Sequence, residues 1–116
     1  MNDRQLTARL ISLVLTGRLT VRQALQSFPM NTTDKSILTA YHALIHYEAD
    51  EDLRTDADYK LEQDSYLRFI AETLQVGKDL PENIIKNYNK YYKKKPVKRS
   101  GAVKGLINKL CKFLNV

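Results

Sequence analysis

The sequence has 116 residues, 43% hydrophobic and 28% charged, with four Gly, three Pro and a single Cys. Its formal charge of +6 is divided: residues 1–80 are net −3 and residues 81–116 are net +9. This is the make-up of one folded domain that removes roughly two-thirds of its unfolded surface from water, and it excludes a long disordered tract and an intrachain disulfide.

Helix signals follow one another along the chain, and no stretch reads as a strand. Leu6, Leu10, Leu13 and Val14 keep helical spacing and Gly17 stands just after Thr16, so a first helix is predicted from Asp3 to Thr16. Its longest apolar run, LISLVL from Leu10 to Leu15, is far short of the ~20 residues a membrane span needs. Thr20 with Gln23 forms a capping box that opens a second helix, and Pro29 closes it. Asn31, Thr32 and Thr33 offer the next N-cap, and Ile37, Leu38, Tyr41, Leu44 and Ile45 draw the stripe of a third helix reaching Leu53.

Thr55 is the predicted cap of a fourth helix, with Asp56 and Asp58 complementing the dipole of its first turn. Its stripe is Tyr59, Tyr66, Phe69, Ile70, Thr73 and Leu74, and Gly77 is its stop. Pro81 begins a fifth, with Ile84, Ile85, Tyr88, Tyr91 and Tyr92 on one face. Pro96, Ser100 and Gly101 then separate a last segment in which Val103, Leu106, Ile107, Leu110, Cys111, Phe113 and Leu114 fall within about 160° of arc at helical period. The expected fold is all-α: a compact bundle of about five helices over residues 1–94, a basic Pro- and Gly-containing linker over 95–101, and a C-terminal amphipathic helix over 102–116, docked or free.

Two charged regions are the candidate interaction sites. Residues 48–64 carry the acids Glu48, Asp50, Glu51, Asp52, Asp56, Asp58, Glu62 and Asp64 against Arg54 and Lys60, net −6. Placed where the third and fourth helices meet, these carboxylates are expected to cluster at one end of the bundle. The other region is basic: Lys90, Lys93, Lys94, Lys95, Lys98, Arg99, Lys104, Lys109 and Lys112 form a partner- or anion-binding set. Beside it, Val103, Leu106, Ile107, Leu110, Phe113 and Leu114 form an apolar docking face. Opposite net charges in one small chain attract, within a molecule or head to tail between molecules.

The expected function is a non-catalytic binding or regulatory module that engages a protein or anionic partner through its basic C-terminal segment. One alternative is nucleic-acid binding, in which the lysines of 86–99 neutralise phosphates and Tyr88, Tyr91 and Tyr92 stack on bases. Another is a membrane-surface anchor over residues 93–116, and a homodimer through the terminal helix is a further reading.

Catalytic patterns are missing from the sequence. No G-x-S-x-G, P-loop or dinucleotide fingerprint occurs, and no cofactor is implied. His42, His46 and Asp50 recur at four-residue intervals on the third helix and are the candidate metal set, on a side away from the Ile37 and Tyr41 stripe. A calcium loop starting at Asp50 fails, since Thr55 stands where Gly is required and Leu61 where the bidentate Glu is required. The lone Cys111 and the lack of a leader pattern read as a reducing, cytoplasmic setting.

Overall fold

A computed structural model describes residues 1–87, and among these residues every regular element is helical. Helix α1 spans Asp3–Leu15, α2 Val21–Gln26, α3 Lys35–Ala49 and α4 Ala57–Gln75. A 3-10 helix, Glu51–Thr55, joins α3 to α4, and residues 82–87 are helical again. The end of the predicted bundle after residue 87, the linker 95–101 and the amphipathic segment 102–116 lie outside the described residues.

Local chemistry sets the helix ends. At α1 the Asn2 side chain accepts from the Gln5 N–H while the Gln5 side chain accepts from the Asn2 N–H, and Thr20 and Gln23 make the predicted reciprocal pair at α2. Helices α1 and α4 finish in matching glycine turns. The Arg18 N–H donates to the Leu13 carbonyl at 2.9 Å and the Gly17 N–H to Val14 at 3.1 Å; Lys78 and Gly77 repeat this with Thr73 and Leu74 at 3.1 and 3.0 Å. Both glycines have φ of 78°, and a Cβ on either would meet nothing within 4 Å. Glycine is needed there for the left-handed backbone and not for space.

Three predicted boundaries are corrected. Helix α3 is capped by Asp34, whose carboxylate accepts from the Ser36 and Ile37 N–H groups at 2.9 and 3.3 Å, while Thr32 accepts from the Asp34 N–H. It ends at Ala49 instead of reaching Leu53, because the Asp50 side chain turns inward and the backbone tightens, with the Leu53 N–H donating to the Asp50 carbonyl at 3.0 Å. Helix α4 is capped by Asp56, which accepts from Asp58 and Tyr59, whereas Thr55 belongs to the 3-10 helix and donates to the Asp52 carbonyl.

The core is one cluster in which Ile11, Ile37, Leu44, Leu67, Ile70 and Leu74 are fully buried. On α3 the buried face is Ile37, Ala40, Ala43, Leu44 and His46, rotated from the predicted stripe so that Leu38 is exposed and Tyr41 and Ile45 are half-buried. On α4, Leu67 and Ala71 are inside and Phe69 is partly exposed, at 38%. Alanines at 40, 43 and 71 let helices approach closely, and hydropathy ranked on large side chains misses them. Phe28 meets the Tyr41 ring edge-on at 5.5 Å and closes the turn at Pro29.

One side chain ties the ends of these elements together. Arg4 on α1 donates through Nε to Asp34 Oδ2 at 2.8 Å, through Nη2 to Asp34 Oδ1 at 3.2 Å and Asp79 Oδ1 at 2.6 Å, and through Nη1 to the Gly77 carbonyl at 3.0 Å. Beside it the Leu80 N–H donates to Ser36 Oγ at 3.0 Å. Burial alone raises the Asp34 carboxyl, but the Arg4 hydrogen bond and the Ile37 and Ser36 N–H groups outweigh it and hold it below the ordinary carboxylate range. The stabilisation is therefore present above the unfolded value of about 3.9 and is lost as pH falls through the lower folded value. Asp34→Asn keeps a capping oxygen and removes the charge. In urea unfolding it is expected to cost about 1 kcal/mol at pH 7, with the gap to the parent narrowing as pH falls through the lowered Asp34 value.

Candidate functional site

The eight carboxylates of residues 48–64 gather at the turn from α3 to α4, and the structure sorts them into different environments. Asp50, at 0% exposure, accepts from Tyr59 Oη at 2.9 Å and from Gln63 Nε2 at 3.3 Å, both on its Oδ2. Asp64 is half-buried and accepts from Tyr47 Oη at 2.9 Å and from Lys60 Nζ at 2.6 Å. Glu48 is half-buried, and Asp56 caps α4. Glu51, Asp52, Asp58 and Glu62 are exposed, as is Asp56. The predicted acidic patch is thus part interior network and part surface.

Arg54 faces inward to the same network, while Lys60 pairs with Asp64 at the surface. The Arg54 guanidinium lies 3.7 Å from the Tyr47 ring centroid, donates to the Tyr47 carbonyl, and reaches Gln63 Oε1 at 3.3 Å. Gln63 joins the two halves, donating to Asp50 with its nitrogen and accepting from Arg54 with its oxygen. A buried amide used at both ends orients the 3-10 helix against α4. Burial pushes the Tyr47 hydroxyl up to about 12, reinforced by its bond to Asp64 and opposed by Arg54.

The candidate metal residues sit differently from their predicted side. His46 is fully buried with Asp50, and His42 is half-buried with its ring edge-on to Tyr41 at 6.0 Å. Burial pushes the His42 imidazole down to about 4. Among the described residues no group of three His, Cys, Asp or Glu side chains is arranged to hold a metal ion. No helix among them is long and apolar enough to cross a membrane. The basic set Lys90 to Lys112 and the apolar face Val103 to Leu114 lie outside the described residues.

Two concave surfaces complete the geometry. A groove of about 440 Å³ runs between α1 and the end of α4, with Ala8, Ser12 and Leu15 on one wall and Ala71, Gln75 and Val76 on the other. A hollow of about 500 Å³ lies beside the Arg4 clasp, where Arg4 and Lys35 face Asp34, Asp79 and Glu82. Comparison of the chain with protein-family models, curated proteins and solved structures finds no match.

Sequence reasoning missed Tyr47, Tyr59 and Gln63 as partners of the carboxylates. Tyr59 and Gln63 stand one turn apart on α4, so a repeat of hydrogen-bonding side chains on a buried face was the available signal. Two measurements test the corner. Arg54→Lys is expected to cost nearly as much as Arg54→Ala, about 1–2 kcal/mol in urea unfolding with faster amide exchange over residues 51–55, because an ammonium cannot stack flat on Tyr47 while reaching two acceptors. Ultraviolet titration should show one tyrosine ionising near pH 12 that is lost in Tyr47→Phe. Since its folded value exceeds the unfolded value of about 10, the native state loses stability as pH rises past 10.

Proposed function

We propose that the protein is a non-catalytic binding module in which a folded helical bundle carries a basic C-terminal segment that engages an acidic protein surface. The observation that carries this reading is the separation of charge. Residues 1–87 hold ten Lys and Arg against thirteen Asp and Glu, while residues 88–116 hold nine Lys and Arg and no acid. Within the bundle, Arg4, Arg54 and Lys60 are engaged with its own carboxylates, rings and carbonyls. Its bridging hydrogen bonds serve architecture: Gln63, Tyr47 and Asp34 all hold one element against another. A cation-rich segment with no acids to neutralise it raises the local concentration of an anionic partner and speeds encounter.

The test uses the full chain and a fluorescent Glu-rich peptide. Binding is expected to weaken steeply between about 50 and 200 mM salt, and the Lys93→Glu, Lys94→Glu, Lys95→Glu triple variant is expected to lose about tenfold or more in affinity. Tighter binding to a single-stranded oligonucleotide than to the peptide would move the assignment to nucleic acid. Phosphatidylserine vesicles that bind through Leu106, Leu110 and Phe113, with the lysines dispensable, would move it to a membrane surface.

A further inference from the structure

We propose that the groove between α1 and α4 is the docking site for residues 102–116 of the same chain. Its floor is open because the facing residues are small, Ala8 and Ser12 on α1 and Ala71 on α4, and Val76 stands at its rim at 67% exposure. The occupant has the matching form. Val103, Leu106, Ile107, Leu110 and Leu114 recur at i, i+3, i+4, i+7 and i+11, the anchor spacing of a helix laid in a groove.

Electrostatics favours this occupant. The last turns of α1 and α4 both reach the groove, through Leu15 and Thr16 and through Gln75 and Val76, and neither turn contains a basic residue. Each helix end carries a partial negative charge, which Lys104, Lys109 and Lys112 of the incoming segment complement. Arg68 and Glu72 on the α4 wall offset one another, and Arg18 and Lys78 follow the glycines outside the lining.

Tethering selects the chain's own segment over an unlinked helix of the same chemistry. Residues 88–101 reach up to about 48 Å when extended, and the longest dimension of the described fold is 35 Å. A tether of that length holds the segment at an effective concentration near millimolar. Docking would cover the apolar face of 102–116 and leave Lys90 to Arg99 outside the groove for the charged contact proposed above. The two proposals are independent, since the groove is tested without any partner.

The experiment places a nitroxide on the polar side of the segment, at Asn108→Cys in a Cys111→Ser background, and reads relaxation broadening of backbone amides in the full chain. Broadening is expected at Ala8, Ser12, Leu15, Ala71, Gln75 and Val76 in dilute solution. It should disappear in the Ser12→Lys, Val76→Lys double variant, both sites being exposed so that the bundle's other amide shifts are retained. A second measurement, removal of residues 102–116, should shift the same groove amides. Broadening centred on Glu51 to Glu62, no broadening, or broadening transferred between labelled and isotope-labelled copies would each overturn the proposal.

Discussion

One guanidinium joins the ends of three elements. Arg4 sits in the first turn of α1 and makes contacts to residues 30, 73 and 75 positions away in sequence. The buried core brings these distant segments together, and a planar group with five donors then meets two carboxylates and a carbonyl at once. The contact sets the position of three starts and stops: the beginning of α1, the cap of α3 and the exit from α4. Helix α4 packs along α1, and the groove lies between them.

At the other end of the bundle the same chemistry is used in a different way. Asp50 is buried, and the cost of taking a carboxyl from water is offset by hydrogen bonds from Tyr59 and Gln63. Asp64 shares its charge between a tyrosine and a lysine. What remains on the surface, Glu51, Asp52, Asp56, Asp58 and Glu62, is a smaller acidic area than a count of residues 48–64 implies. The interior carboxylates help to hold the 3-10 helix on α4.

The helical class, the glycine stops at Gly17 and Gly77, the Thr20 box and the break at Pro29 are all legible in the sequence, because each is decided by residues within one turn of each other. The rotation of α3 is not. Ala40, Ala43 and His46 lie inside because of what α1 and α4 present to them, and a periodicity analysis weighted toward large apolar residues points instead at Leu38, Tyr41 and Ile45. Asp34 was passed over as a cap in favour of the threonines before it, although its carboxylate is the better acceptor for two N–H groups. The corner network is hinted at only by the spacing of Tyr59 and Gln63, because Asp50 and Asp64 look like solvated acids until a tyrosine from the neighbouring helix is placed over each.

Gly17 and Gly77 show how a position can be demanding without being crowded. Each has empty space where a side chain would go, yet each bends its backbone the way L-residues resist. What these two sites select is handedness, so size is no guide to which residues they accept. The mirror-image form of alanine suits them by shape and by backbone preference, whereas the natural form suits them by shape alone.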